Sequence, residues 1–119
     1  MQRRVLIADD NVDAAEILQM WLQMAGHDVH VAHDGTSAVA AAESVRPEVV
    51  LLDLGMPGMS GFDVARHLRR MPWGRDMVLI ALTGWGHEED RQQTSAAGFD
   101  HHLTKPVPPD DIEELIRSV

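Results

Sequence analysis

The 119 residues carry a net charge of −9, with nine arginines and a single lysine, Lys105, against 19 acidic side chains. An acidic chain without a basic stripe argues against direct nucleic-acid binding, which needs cationic side chains for the phosphates, and the absence of cysteine excludes a disulfide framework and thiolate metal sites. The apolar share of 45% speaks against disorder, and neither a run approaching the ~20 residues of a membrane span nor a signal-peptide core is present. The expectation is one soluble, cytoplasmic domain over residues 1–119, with no effector domain and no membrane segment.

In chain order, residues 3–8 form a short apolar run ending in Asp9-Asp10-Asn11, a strand followed by a helix cap. Over residues 12–25 apolar side chains recur at helical spacing (Ala14, Ile17/Leu18, Trp21, Met24/Ala25), and Gly26 stops the helix. Trp21 and the methionines at that spacing are read as core. Residues 27–32 form a second, more exposed strand, and residues 36–45 an alanine-rich helix ended by Pro47. Residues 49–52 (VVLL) run without interruption into Asp53, and a Gly/Pro turn follows at once. Such a run reads as a strand covered on both faces, with Asp53 at its carboxyl end. Ser60 and Asp63 have the spacing of a capping box for a helix reaching about Arg70. Residues 77–82 are a fourth strand, residues 87–97 a polar helix closed by Gly98, and residues 100–104 a fifth strand. Pro108-Pro109-Asp110-Asp111 opens the last helix, with proline and acid in its first turn. Five strand–helix units imply a parallel sheet with helices on both faces and right-handed crossovers.

The strand ends carry the chemistry: Asp9-Asp10 after the first, Asp53 after the third, Thr83 after the fourth and Lys105 after the fifth. In a parallel sheet these ends share one edge, so three carboxylates, a hydroxyl and the lone lysine converge. Two unit charges ~4 Å apart repel by about 4 kcal/mol at an effective dielectric of 20. Lys105 offsets part of this, and a hard divalent cation bound through oxygen offsets more. A carboxylate beside such a metal and a lysine is suited to attack phosphorus.

These residues resemble the receiver domains of two-component response regulators. The matching signals are Asp9-Asp10, the stretch from Asp53 through Met56-Pro57 to Gly61, Ala81-Leu82-Thr83-Gly84, and Lys105-Pro106. The resemblance implies a flavodoxin-like (βα)5 fold with a five-stranded parallel sheet of order 2-1-3-4-5. It implies that Asp53 accepts a phosphoryl group from a phosphohistidine on a histidine kinase or histidine phosphotransfer protein, so that the chain is a signalling module rather than an enzyme. Asp10, Asp53 and the backbone carbonyl of Gly55 would ligate Mg2+, with Mn2+ as a substitute, and Asp9 would hold a metal-bound water. Lys105 would pair with Asp53 and then with the phosphoryl group. Thr83 would move inward, Gly84 would leave room for the phosphoryl group, and Pro106 would follow a cis peptide bond. A homodimer through the fourth helix, fifth strand and fifth helix is a family habit.

The chain departs from the family pattern in places. The switch position, commonly Tyr or Phe, holds His102, a smaller ring that can still swing between exposed and buried rotamers. Trp85 is bulkier than most residues at its position and could shield the acyl phosphate. Ser60 stands where the loop usually carries an acid or amide. The string from Gly98 to Val107 looks most like receivers attached to hybrid histidine kinases. Among other readings, an aspartyl-nucleophile phosphohydrolase would need a second aspartate where Gly55 stands. A flavin binder would need a phosphate-cradling loop where Asp9-Asp10 stand. A histidine metal site on His27, His30 and His33, or on His101-His102, is disfavoured because strand neighbours point to opposite faces.

Overall fold

The structure, a computed structural model, describes residues 2–84 and 88–119, with side chains left aside for residues 88–91. Its elements are β1 (Arg4–Ala8), α1 (Val12–Met24), β2 (Asp28–Ala32), α2 (Gly35–Val45), β3 (Val49–Asp53), α3 (Gly61–Arg70), a 3-10 turn at Pro72–Gly74, β4 (Val78–Thr83), α4 (Glu88–Ala97), β5 (His101–Thr104) and α5 (Pro109–Ser118). All strand pairs are parallel, in the order β2-β1-β3-β4-β5. No helix among the described residues is long and apolar enough to cross a membrane.

The uninterrupted apolar strands are explained by the two-sided cover. Successive strand residues point to opposite faces, so Val49 and Leu51 join Val5, Ile7, Ile80 and Leu82 beneath α1 and α5. Val50 and Leu52 join Leu6, Ala8, Leu79 and Ala81 beneath α2 and α3. The central strands are buried along almost their whole length, whereas β2, an edge strand, shows Asp28 to solvent.

Local capping places the strand-to-helix turns. Asn11 caps α1 by accepting from the Ala14 N–H at 3.1 Å, and Ser60 caps α3 by accepting from the Asp63 N–H at 3.3 Å. Two glycines allow the turn after β3 to pack close: a Cβ on Gly61 would lie 2.6 Å from the Asp53 carbonyl oxygen, and one on Gly35 only 2.1 Å from that of Met59. Any side chain at either position would push the Asp53 turn outward.

One sequence expectation is corrected here. The buried face of α1 is Ala15, Leu18 and Leu22, one position round from the expected stripe. Trp21 is 42% exposed, Met20 63% and Met24 83%, so none of them is core. Apolar residues surround most of α1, and its periodicity alone does not say which side meets the sheet. Packing against α5 and the sheet selects the face with the tighter branched side chains.

Candidate functional site

β1 delivers Asp9 just past its last paired residue. Its N–H extends the ladder to the Ala32 carbonyl at 3.0 Å, and its carboxylate Oδ1 accepts from the Asn11 N–H at 2.9 Å. Asp9 is 5% exposed, while Asp10, one residue on, is open to solvent. β3 delivers Asp53, whose Oδ1 accepts from the Gly55 N–H at 3.0 Å, an Asx turn that fixes the carboxylate against the following loop. Its Oδ2 lies 3.3 Å from Lys105 Nζ, and Asp9 Oδ2 lies 3.6 Å from the same nitrogen. The lysine is itself anchored, its N–H donating to the Thr83 carbonyl at 2.6 Å. Thr83 is buried at the end of β4, beside the Asp53 strand.

One oxygen each from Asp9, Asp10 and Asp53 lies within 4.8 Å of the others, the one such cluster of potential metal ligands among the described residues. Three carboxylates against the single Lys105 ammonium leave an excess of negative charge. All the donors are hard oxygens, the ligand set that Mg2+ takes together with water, so these residues fit that ion.

The electrostatics agree. Burial pushes the Asp9 carboxyl above the usual aspartate range, against the Asn11 N–H that favours the carboxylate; Asp53 adds to the rise and Lys105 opposes it. The folded chain therefore holds this proton to higher pH than the unfolded chain. Stability falls as pH rises from the ordinary aspartate range through the folded value, and levels above it. Asp9→Asn is expected to raise the melting temperature of the metal-free protein by a few degrees at neutral pH. Thermal unfolding in EDTA should show that gain shrinking as pH falls towards about 4, where the unfolded aspartate is half protonated. A gain independent of pH would contradict the charge argument.

Of the other predicted site residues, Gly55 is exposed beside Asp53, and a Cβ on Gly84 would meet nothing within 4 Å among the described residues. The Lys105-Pro106 peptide is cis. His102 is half-buried, with Nδ1 3.1 Å from the Thr94 hydroxyl of α4, so the ring is tied to α4 in this conformation. Trp85, and His87 at the expected start of the fourth helix, lie outside the described residues. The histidines have separate partners: His27 takes the Arg3 N–H and meets Glu113, His30 pairs with Asp28, and His33 meets the Asp9 carbonyl. Sequence reasoning missed the His33 contact, and also a groove between α1 and the α5 entry that runs from Asp9 and Lys105 to Ile17, Val107 and Ile112.

Residues 5–117 match the response regulator receiver domain. The chain belongs to that family. As a receiver it is 37% identical over 116 residues to the DNA-binding dual master transcriptional regulator RpaA of Synechocystis, covering 98% of this chain but 47% of that protein. The receiver thus spans about half of that regulator. The Vibrio cholerae chemotaxis protein CheY4 superposes with a TM-score of 0.94 at 29% identity, over 100% of this chain and 99% of its own. The receiver domain of a Pseudomonas aeruginosa sensor histidine kinase superposes with a TM-score of 0.89 at 27% identity, over 99% and 97% of the two chains. That domain is described with a magnesium ion coordinated in its active site cleft. The acidic pocket of the receiver is of the kind in which this family binds Mg2+.

Proposed function

We propose that this receiver takes a phosphoryl group onto Asp53 from a phosphohistidine of a histidine kinase or phosphotransfer protein, and that the resulting change in the Thr83 and His102 region passes the signal on. The observation that carries this is the posture of Asp53, one oxygen held by the Gly55 N–H and the other by Lys105, inside a cluster of acids.

A carboxylate oxygen of Asp53 forms the new O–P bond as the N–P bond breaks, and the imidazole leaves with the electron pair of that bond. Lys105, paired with Asp53 beforehand, turns to the phosphoryl oxygens and offsets their charge. The Thr83 hydroxyl donates to one of those oxygens, beside Gly84, which has no side chain to compete for the place. Asp10, Asp53 and the Gly55 carbonyl would hold Mg2+, with Asp9 holding a water on it, and the ion would supply neutralisation of the acids and of the transferred group. Movement at Thr83 would reach α4 through His102 and Thr94, with Pro106 as a further output residue, and the α4–β5–α5 face would serve as the surface for a homodimer. The setting is the cytoplasm, where such kinase domains act.

The donor's approach is proposed to lie over α1. Val12, Ile17, Met20, Trp21 and Met24, the exposed large hydrophobics among the described residues, all lie on α1, and Ile17 also lines the groove that opens on Asp9 and Lys105. The helix bears acids and no Lys or Arg. A helical partner with a basic rim around an apolar stripe fits it by shape and charge. The double variant Ile17→Asp/Met24→Asp is expected to slow transfer from the phosphohistidine donor by tenfold or more, a loss of about 1.4 kcal/mol or above. Labelling by acetyl phosphate, which needs no docking, should be unchanged.

The function itself is tested by intact-mass measurement after incubation with acetyl phosphate and Mg2+. One phosphoryl adduct is expected, and none in EDTA. A chain that stays unmodified with Mg2+ present would overturn the reading.

A further inference from the structure

Asp9 leaves the sheet with its peptide groups held on both sides. Its N–H donates to the Ala32 carbonyl, as a ladder residue would. Its carbonyl has a different partner: the Nδ1 of His33, at 3.0 Å. A carbonyl only accepts, so Nδ1 carries the proton in this bond. β2 ends at Ala32, and its chain turns at once into α2, where Asp34 accepts from the Ser37 N–H at 2.7 Å. The side chain of His33 therefore supplies a donor just where the β2 backbone departs.

The consequence falls on Asp10. The carbonyl of Asp9 belongs to the planar peptide whose other end is the nitrogen and Cα of Asp10. Fixing that carbonyl fixes the direction in which the chain carries Asp10, while the Asn11 N–H fixes the Asp9 carboxylate. Asp10 is exposed, so its direction depends on the backbone that carries it. We infer that His33 is a positioning residue for the acidic pocket, clamping the Asp9–Asp10 peptide so that both carboxylates converge on Asp53. Its effect runs through the Asp9 carbonyl. This rests on the reading of the pocket as a Mg2+ site.

The test compares His33→Ala with His33→Asn, because an asparagine amide nitrogen can occupy the place of Nδ1 and still donate. By calorimetric titration with MgCl2, the alanine variant is expected to bind about tenfold more weakly, the lower end of the range for groups that orient metal ligands from behind. The asparagine variant should stay close to wild type, and all three should melt together in EDTA. Equal Mg2+ affinity in the alanine variant would overturn the inference, as would an equal loss in both variants or a loss matched by earlier melting. In the metal-free protein, nitrogen NMR should find His33 protonated at Nδ1, and the Asp9 carbonyl carbon shift should move in His33→Ala but not in His33→Asn. If wild type bound no Mg2+, the metal reading would fall and these shifts would judge the clamp; an unmoved Asp9 carbonyl would refute it.

Discussion

Asp53→Asn is expected to abolish phosphoryl uptake from acetyl phosphate, leaving one unmodified species by intact mass. The carboxamide keeps the shape of the side chain, and its oxygen can still accept the Gly55 N–H that Asp53 Oδ1 accepts at 3.0 Å. What is lost is the anionic oxygen proposed to attack phosphorus and the charge that pairs with Lys105 at 3.3 Å. The fold should survive, so the loss of uptake will report chemistry rather than unfolding. A second readout follows from the coupling within the pocket. Asp53 helps to hold the Asp9 carboxyl above its usual range, because it can accept a hydrogen bond from the protonated form and repels the charged one. Neutralising Asp53 should therefore lower the Asp9 titration midpoint, as followed by carbon NMR of the carboxyl groups. Lys105→Met should move it the other way, because the ammonium 3.6 Å from Asp9 favours the carboxylate. An adduct undiminished in Asp53→Asn would place the acceptor elsewhere and end the proposal.

The second large effect is on stability, far from the pocket. Arg69 on α3 donates from Nε to the Gly98 carbonyl at 2.9 Å and from one terminal nitrogen to the carbonyls of Gly74, Arg75 and Met77. Its other terminal nitrogen meets Asp100 Oδ2 at 2.7 Å, and that oxygen also accepts the Leu79 N–H at 2.9 Å. One guanidinium thus joins α3, the 3-10 turn, the start of β4 and the entry to β5. Its side chain is 21% exposed, so the carbonyls it serves are only partly open to water. The Asp100 carboxylate is half open, and the ion pair itself counts for little. The carbonyls decide the size of the effect, since hydrogen bonds from a charged donor contribute roughly 1.5–3 kcal/mol each and are not additive. Arg69→Ala is expected to cost about 3 kcal/mol in urea unfolding, with a midpoint drop of ~10 °C or more on heating. Arg69→Lys should recover little, because a single ammonium cannot span those carbonyls with the fork of a guanidinium. A loss below about 1 kcal/mol would mean that water replaces these bonds at little cost.

Much of the site was legible because it is written in local chemistry. A buried parallel strand has a recognisable composition, and the residue at its carboxyl end is next in the chain, so Asp9, Asp53, Thr83 and Lys105 could be placed on one edge by topology alone. Capping is equally local, and Asn11 and Ser60 cap where their positions indicate. The degree to which Asp9 is buried while Asp10 is open was not legible, because adjacent residues differ only in which way the chain turns as it leaves the sheet.

The roles of His33 and Arg69 were hidden for a related reason. Their partners are main-chain carbonyls, which every residue possesses, so no residue type marks the acceptor. The separations to those carbonyls are 24 residues for His33 and up to 29 for Arg69. The exposed face of α1 is the remaining case. Sequence determined that α1 is a helix with apolar residues on most of its circumference, and that Asp53, the Asp9-Asp10 pair and Lys105 lie along one sheet edge. Tertiary structure decided that Ala15, Leu18 and Leu22 turn to the core while Ile17, Met20, Trp21 and Met24 turn to solvent. A helix with two apolar faces can satisfy the core with either, and only the sheet and α5 beneath it choose between them.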